Sequence, residues 1–581
     1  MAEQLAEKTK ALRYQELNIT SKSECPIDKI SSADVIFISL PQENHQFNVG
    51  RLIDFLQTII DSIKENAKII FFAENDILPL LCYGIESYKL LNYKIWISVR
   101  KQITNKENAL PNETKGAVIF SKSSGPLHIC KVRLPYTYCP ACNKTTKDYG
   151  GKKHLFHEYG TLMSDVWKDF RVVDDDPLPK DVTTRIREMF SIDENESMLS
   201  ISLWDYEWEK YEEKPIAFPE LNDPKPRKSN SNSIRKGLDR GILIHDDALE
   251  VLRGMESNSV DYIFVDPPYN LKKKYKGYKD DLEIEEYFSW CDQWLEECYR
   301  VLKPGRFLSI LNLPLWCVRH YAYLIQKMNF SSWITWEALS RPARNIMPAH
   351  YSILTMQKPI GENDDPFIIQ LKDVELPLED YYCLRPSCIK KREPVYKPLT
   401  DLWTDIHRLK HNSRRLDHPC QLPPNLMKRL ISIYTKSDDV VLDCFNGIGT
   451  TTLVAELLGR RFIGVELIEK YHRIAQERHQ EISLGLDPFR KNQISADKKT
   501  KNNEEKRMKS IKSENGLSKR KIQLMIKELS QQLGKIPTLD DALHHLDIPK
   551  ELYDEYFKSW SEVVQAAKTT GMSEYKKVHN Q

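Results

Sequence analysis

The tetrapeptide Asp266-Pro267-Pro268-Tyr269 follows an apolar segment and combines groups that can hold an exocyclic amine of a nucleobase. In adenine and cytosine the amine lone pair is delocalised into the ring, and accepting both N–H hydrogens makes that nitrogen nucleophilic. Asp266 offers a carboxylate oxygen, and the Pro-Pro step, whose rings fix φ, presents the Pro267 carbonyl as a second acceptor. Tyr269 offers a face on which a base can stack. The alternative is a strand-ending turn, in which Asp and Pro are common.

A second candidate site is the glycine-rich segment 443–451, which contains Gly447 and Gly449 and follows the apolar residues 440–442. A glycine turn between a strand and a helix lets backbone approach a nucleotide-like ligand, and the helix N-terminus favours an anionic group. Glu466 ends the next predicted strand, near the position at which an acid binds ribose hydroxyls in dinucleotide folds. The glycine spacing differs from the phosphate-binding fingerprints and no Lys follows. A ligand with a ribose and an amino-acid end therefore fits better, and a purely structural turn is the alternative.

The elements that must position these residues lie between about residues 242 and 484. Short apolar runs alternate there with amphipathic helical patterns, which predicts an α/β fold, a Rossmann-like doubly wound sheet. Its predicted strands are 241–245, 260–265, 306–311, 440–443 and 462–466. The acidic pair Asp246-Asp247 follows the first of them.

The N-terminal region resembles a degenerate copy of this fold. Residues 34–42 align without gaps with 261–269, and residues 162–169 match 399–406 in the same order. Ser39 stands at the position of Asp266, and no glycine-rich loop follows residues 198–200. The sequence therefore predicts a duplicated fold in which the first copy has lost its chemistry. The alternative is an unrelated α/β domain.

Taken together with His418-Pro419-Cys420-Gln421, these elements resemble the amino-group DNA methyltransferases, specifically the permuted class in which the catalytic strand precedes the cofactor loop. The resemblance covers about residues 241–484. It implies that Asp266, Pro267, Pro268 and Tyr269 hold the target amine. It also implies an S-adenosylmethionine site formed by Asp246 or Asp247 beside the adenine, Glu466 at the ribose, and His418, Gln421, Asp443, Phe445, Gly447, Gly449 and Thr450 around the methionine end. The departures from the family pattern are Cys444, Ile448 and Leu422, none of which removes a group that the chemistry needs.

The function implied by this resemblance is methylation of adenine N6 in double-stranded DNA. Cytosine N4 is the alternative target, because the same amine geometry serves both bases, and an RNA substrate would use identical chemistry. An alternative of another functional class is a nucleic-acid-binding scaffold that has lost catalysis. The resemblance also suggests a restriction-modification setting, with a cognate restriction endonuclease or another defence protein as partner.

Composition is compatible with such a protein. The chain has 581 residues, a net charge of +2 and a mean hydropathy of −0.53, and no run approaches the roughly 20 apolar residues of a membrane span. The first residues carry acids and no apolar core, which does not resemble a secretory signal. Twelve scattered cysteines favour a reducing cytosol, where the chain would associate with nucleoid DNA. No membrane partner is expected.

Composition breaks predict the domain boundaries. The predicted parts are a degenerate methyltransferase-like domain (1–221), a linker (222–240), a catalytic part (241–329), a target recognition region (330–412), a cofactor-binding part (413–489), a basic linker (490–518) and a small all-α C-terminal module (519–581). The recognition region carries cations and aromatics suited to phosphate and guanine contacts: Trp333, Trp336, Arg341, Arg344, Arg385, Lys390, Lys391, Arg392 and Lys397. The C-terminal module resembles helical repeats found beside homing endonucleases, and a solubilising helical cap is the alternative.

A structural zinc site is a further hypothesis for the N-terminal domain. Cys139, Cys142, His154 and His157 have the residue types and roughly the spacing of a tetrahedral site. The alternative is a pair of buried thiols near surface histidines.

Overall fold

The computed structural model contains two large β-sheets, each flanked by helices, and a separate C-terminal helical module. The structure describes residues 14–20, 26–42, 47–136, 138–139, 144–145, 160–192, 196–224, 240–271, 274–275, 278–279, 281–338, 346, 349–361, 366–371, 374–376, 395–406, 408, 421–489, 519–533, 535–546, 548–557 and 559–564. The parts within residues 14–224 and 240–489 are here called the N-terminal unit and the central unit.

The strands have two to 13 residues, and the parallel strands at the centre of each sheet are mostly apolar, as buried parallel strands are. Those of the N-terminal unit are β1 (Tyr14–Asn18), β2 (Val35–Ser39), β3 (Lys68–Glu74), β4 (Asn92–Thr104), β5 (Asn112–Ser121), β6 (Arg133–Leu134), β7 (Tyr138–Cys139), β8 (Lys144–Thr145), β9 (Thr161–Leu162), β10 (Val166–Val172) and β11 (Met198–Ser202). Those of the central unit are β12 (Gly241–His245), β13 (Val260–Val265), β14 (Lys274–Tyr275), β15 (Tyr278–Lys279), β16 (Leu302–Asn312), β17 (Asn329–Glu337), β18 (His350–Gln357), β19 (Val374–Leu376), β20 (Val395–Lys397), β21 (Leu402–Trp403), β22 (Val440–Asp443) and β23 (Arg461–Glu466).

The helices connect these strands and cover the sheets. They are α1 (Ile27–Ser32), α2 (Val49–Ile59), α3 (Leu78–Ser87), α4 (Lys180–Met189), α5 (Ala248–Gly254), α6 (Ile284–Val301), α7 (Pro314–Leu324), α8 (Pro424–Tyr434), α9 (Thr450–Leu457), α10 (Glu469–Ser483), α11 (Lys519–Leu533), α12 (Leu539–His545), α13 (Lys550–Tyr556) and α14 (Trp560–Val564), with 3₁₀ turns at Ile60–Ser62 and Trp208–Lys210. None of the described helices combines the length and apolar character that crossing a bilayer requires.

The sheet of the central unit has eight strands in the order β12-β23-β22-β13-β16-β18-β17-β21. The strands from β12 to β16 are parallel, whereas β18 is antiparallel to both of its neighbours. Every residue of β13 is buried, because helices cover both faces of the sheet. This is the doubly wound fold that the alternating sequence pattern predicts.

The seven-stranded sheet of the N-terminal unit repeats this topology, with the order β1-β11-β2-β3-β5-β4-β10. The strands from β11 to β10 match those from β22 to β21 in order and in direction. The registers also agree, since Ser98 lies opposite Val166 just as Thr335 lies opposite Leu402. The topology therefore bears out the predicted duplication.

The C-terminal module has its own small core, which includes Ile526 of α11 and Tyr553 of α13. Its helix α12 begins with a capping box, in which the Thr538 and Asp541 side chains each bond the other's backbone N–H. The all-α character predicted for this segment agrees with the structure.

Candidate active site

The two motifs singled out in the sequence meet at one edge of the central sheet. Strands β13 and β22 are parallel neighbours, with Phe264 opposite Asp443. Adjacent strands lie about 4.8 Å apart, so the residues that follow them emerge side by side. Asp266 and the glycine turn therefore share this edge, although they are far apart in the chain. Brought this close, the negative charge of Asp266 contributes to a raised pKa at Asp443.

Three of the hydrogen bonds that hold the loop after β13 involve aromatic side chains. The Tyr269 hydroxyl donates to Asp266 Oδ1 at 2.8 Å, which orients the carboxylate. The Tyr287 hydroxyl donates to the Pro268 carbonyl at 2.7 Å, and the Trp316 indole N–H donates to the Tyr269 carbonyl at 2.9 Å. Both aromatic donors project from helices, so the loop is fixed from the body of the fold. These bonds hold the Asp266 carboxylate in a fixed direction, as an acceptor for a substrate hydrogen requires.

An aromatic wall lies beside Tyr269. The ring of Tyr351, at the start of β18, is centred 6.2 Å from the ring of Tyr269. The exposed guanidinium of Arg408 lies 5.1 Å from the Tyr351 ring centre, within cation–π range. Sequence reasoning missed both residues, because neither belongs to a local motif. Tyr351 reaches the site because β18 pairs with β16, and Arg408 reaches it from beyond β21, where its backbone N–H donates to the Ala338 carbonyl at 3.3 Å.

Asp443 is a buried carboxyl group, with 3% of its surface exposed. Burial raises its pKa to about 7, the nearby charges of Asp266 and Glu466 add to the rise, and hydrogen bonds from Thr451 and the Phe445 N–H oppose it. The Phe445 N–H donates to Asp443 Oδ1 at 3.0 Å. Near neutral pH this group therefore exists in both protonation states, and a cation placed beside it would draw it toward the ionised form.

The glycine turn adopts a backbone conformation that favours glycine. Gly447 has φ +53° and Gly449 has φ +85° at the N-cap of α9. A Cβ atom at Gly449 would come within 3.0 Å of the Ala475 Cβ. The turn is tied to the next strand, since the Gly447 N–H donates to Glu466 Oε2 at 2.8 Å.

Glu466 is nearly buried at the carboxyl end of β23. Burial raises its pKa, and the hydrogen bonds from the Ile468 and Gly447 N–H groups oppose this. The two bonds engage different carboxylate oxygens, at 2.7 Å for Ile468 and 2.8 Å for Gly447. Each oxygen can accept a further hydrogen bond, which suits a pair of vicinal hydroxyls.

The structure describes the other predicted cofactor residues to different extents. Asp247 caps helix α5, its Oδ1 accepting from Leu249 N at 2.9 Å, whereas Asp246 is exposed beside it. Phe445 contacts the ring edges of Trp290 and Trp294 with centroid distances of 5.6 and 5.5 Å, and Thr450 is buried as the first residue of α9. Gln421 is half-buried just before α8, and His418 lies outside the described residues. The capping role of Asp247 makes Asp246 the better candidate of the pair.

The corresponding edge of the N-terminal unit is built differently. Ser39 is fully buried, and its hydroxyl accepts from the Trp204 indole N–H at 3.0 Å. The Lys115 ammonium lies 5.5 Å from the Trp204 ring centre. An indole therefore packs against Ser39, the residue that corresponds to Asp266. The prediction that this copy has lost its chemistry is compatible with this contact.

Comparison with known proteins places this site in a family. The family model described as DNA methylase, for the N6/N4 class, matches residues 260–477. Over 238 residues the chain is 38% identical to the type II methyltransferase M.BamHI of Bacillus amyloliquefaciens, covering 39% of this chain and 55% of that protein. It is 33% identical over 250 residues to the type II methyltransferase M.HpaI of Haemophilus parainfluenzae, covering 42% of this chain and 76% of that protein. The chain belongs to the N6/N4 DNA methylase family.

A third relative is the DNA adenine methyltransferase YhdJ of Escherichia coli K12, which is 27% identical over 259 residues, or 42% of this chain and 84% of that protein. The chain spans about half the length of the first relative, M.BamHI. The family match contains Asp266, the glycine turn and Glu466, and it excludes the N-terminal unit and the C-terminal module.

The structure corrects part of the predicted target recognition region. Trp333 and Trp336 are buried in β17, where 1% and 2% of their surfaces are exposed, so neither ring faces a ligand. Strands β17, β18 and β21 belong to the central sheet. The stretches outside these strands, about 338–348, 358–400 and 404–412, keep the recognition role as a prediction. Side chains of the cations predicted there, Arg341, Arg344, Arg385, Lys390, Lys391, Arg392 and Lys397, lie outside the described residues.

The zinc hypothesis gains no support from the described part of the chain. Cys139 is buried, whereas Cys142, His154 and His157 lie outside the described residues. Among the residues that are described, no group of three or more His, Cys, Asp or Glu side chains is arranged to hold a metal ion.

Proposed function

We propose that this methylase transfers a methyl group from S-adenosylmethionine to the exocyclic amine of a base in double-stranded DNA, with adenine N6 as the target. The observation that carries the proposal is the shared edge of the sheet, at which Asp266 stands beside the glycine turn and perturbs the buried Asp443. The reaction needs an acceptor for the amine hydrogens and a binding site for the nucleoside-like methyl donor. In this proposal, strand ends at this edge form both.

The side chains around the glycine turn suit S-adenosylmethionine. Glu466 has acceptor capacity for two ribose hydroxyls, the buried Asp443 can pair with an ammonium group, and Phe445 adds an apolar surface. The exposed Asp246 lies at the end of β12, next to the strand that carries Glu466, and we assign it to the adenine side. When bound, this cofactor supplies an electrophilic methyl group on a sulfonium.

The chain's own contribution to the reaction is orientation of the amine. Asp266 accepts one N–H hydrogen and the Pro267 carbonyl accepts the other, which localises the lone pair on nitrogen. Tyr269, backed by Tyr351, stacks on the base, which must leave its duplex to reach this pocket. Because the methyl group is already activated, positioning and aimed dipoles provide most of the acceleration.

Two reasons favour adenine over cytosine as the target base. The adenine methyltransferase YhdJ is among the relatives, and the Asp at the head of the tetrapeptide fits the adenine pattern implied by the family resemblance. Cytosine N4 is the second candidate, because the family model covers both kinds of amine. We further propose a restriction-modification role, with a cognate endonuclease as partner and the cytosolic nucleoid as the place of action, since relatives are type II methyltransferases.

Cofactor binding provides a direct test. Gly447→Val strains a left-handed residue and crowds the cofactor turn, and we expect calorimetry to detect at least a tenfold loss of S-adenosylmethionine affinity. Gly459→Val is the matched control, because φ at Gly459 is +72° and it lies at the opposite edge of the sheet, between α9 and β23. Equal affinities for both variants would contradict the assignment of the turn. A wild-type chain that binds the cofactor but never modifies DNA would favour the scaffold alternative.

A further inference from the structure

The contact between the N-terminal and central units is self-complementary. Ser98 and Thr335 hold the same position in the two copies, and their hydroxyl oxygens lie 2.9 Å apart in a buried contact. Two residues earlier, the counterparts Trp96 and Trp333 stack with ring centroids 4.7 Å apart and planes 10° from parallel. A residue that contacts its own counterpart marks a two-fold axis, as in a symmetric dimer.

Contacts away from this axis occur in matched pairs, of which Asp165 makes one. This buried carboxylate of the N-terminal unit accepts the Ala349 N–H of the central unit at 2.8 Å. Its second oxygen lies 3.0 Å from His350 Nδ1. Asp165 therefore fixes the first residues of β18.

The counterpart of Asp165 is Asp401, which makes the reciprocal contact. Its Oδ1 accepts the Glu113 N–H at 2.7 Å, and its Oδ2 accepts the Thr114 hydroxyl at 2.9 Å. Glu113 and Thr114 correspond to the two residues that Asp165 contacts, according to the register of each sheet. Reciprocity of this kind defines an isologous interface.

The loop between β4 and β5 and the loop between β17 and β18 each pack into the other unit. Leu110, between β4 and β5, is buried in a core cluster of the central unit, whereas Ile346, between β17 and β18, is buried in the core of the N-terminal unit. Asn108 adds hydrogen bonds to Phe367 O and from Ile369 N, each at 2.9 Å. The equivalent helices α3 and α7 pack against each other as well. The two units are thus interlocked.

We propose that the N-terminal unit is a built-in second subunit: it occupies the face on which another copy of this chain would dock, and through Asp165 it positions the base-facing side of the active site. Asp165 fixes Ala349 and His350, and the next residue, Tyr351, forms the wall beside Tyr269. Asp165 is therefore a positioning residue. The chain is a monomer with one working site, because Ser39 and Trp204 replace the machinery of the first copy.

The first test measures mass in solution. Light scattering on the full chain in the absence of DNA is expected to give the mass of one copy, 68.0 kDa, at all concentrations. A particle of twice that mass would overturn the claim that the docking face is filled internally. This readout does not depend on the proposed function, so it stands even if no methyl transfer is found.

The second test rests on the proposed function and uses the symmetry of the interface as its control. Asp165→Ala is expected to raise the KM for DNA about tenfold, with unchanged affinity for S-adenosylmethionine, because a displaced Tyr351 no longer backs the Tyr269 ring on which the base stacks. Asp165→Asn keeps an oxygen acceptor for the Ala349 N–H and should restore most of the activity.

Asp401→Ala removes the reciprocal contact, which Asp401 of the central unit makes with Glu113 and Thr114 of the non-catalytic copy, and is the matched control. It should lower the melting temperature about as much as Asp165→Ala, while the KM for DNA stays within about twofold of the wild type. Equal kinetic losses in the two variants, or a failure of Asp165→Asn to restore activity, would overturn the positioning role. A wild-type chain without transferase activity would instead count against the proposed function.

Discussion

Replacing Asp266 with Asn is the sharpest perturbation that the site allows. The substitution conserves size, and the Tyr269 hydroxyl still finds a side-chain oxygen, while Tyr287 and Trp316 continue to hold the loop. What is lost is the negative charge and one acceptor for the amine. A hydrogen bond to a charged group contributes about 1.5–3 kcal/mol, and removal of one preorganised electrostatic group costs about 10²–10³-fold in kcat. We therefore expect a fall in kcat of at least about 10²-fold.

The same substitution should act in the opposite direction on the cofactor. The charge of Asp266 helps to raise the pKa of Asp443 to about 7, so removing that charge lowers the Asp443 pKa. A larger fraction of Asp443 is then ionised at neutral pH, and its pairing with the ammonium group of S-adenosylmethionine improves. Affinity for the cofactor should be unchanged or higher, with the largest gain just below pH 7.

Single-turnover methyl transfer and calorimetric titration of the cofactor across the pH range around 7 measure both effects on one protein. A variant that transfers methyl groups at the wild-type rate would refute the amine-acceptor role. A variant that loses cofactor affinity in proportion to its rate would refute the division of labour between Asp266 and Asp443.

The remaining predictions address the supports of the site and its surroundings. Tyr287→Phe removes the donor to the Pro268 carbonyl and should lower kcat by about threefold to tenfold, the equivalent of a neutral hydrogen bond, in steady-state assays. Ser39→Ala leaves the Trp204 indole without its acceptor and should lower the melting temperature, while transferase activity is unchanged. Burial raises the pKa of Asp401 to about 8, so the folded chain holds a proton that the unfolded chain releases above about pH 4. Its contribution to the free energy of unfolding is therefore largest at low pH and declines as pH rises toward 8, and denaturant titrations of Asp401→Asn should lack this decline.

The fold could be predicted from sequence because its signals are local, and the two segments proposed to form the active site were recognisable for the same reason. Asp266 and the glycine turn each follow a recognisable strand, and parallel strands bring their carboxyl ends to one edge. The duplication was visible for the same reason, since strand ends and their flanking residues repeat in order. Ser39 then marked the copy that lacks the catalytic acid.

The parts that sequence reasoning missed or misplaced depend on contacts between distant segments. Trp333 and Trp336 have the composition of a nucleic-acid surface, yet β17 pairs with β18 and buries both rings. Tyr351 and Arg408 carry no motif, and only the antiparallel strand β18 brings Tyr351 beside Tyr269. The contact of Asp165 with Ala349 joins two copies of the fold, and no local pattern announces it.

The central claim is that one edge of the sheet presents a base amine to a methyl donor. Incubation of the full chain with labelled S-adenosylmethionine and DNA of varied sequence, followed by nucleoside analysis, measures this most directly. We expect label in N6-methyl-2′-deoxyadenosine from double-stranded DNA, and its absence with the Asp266→Asn protein. Label in a ring carbon of a base, or none in DNA under conditions in which the cofactor is bound, would contradict it.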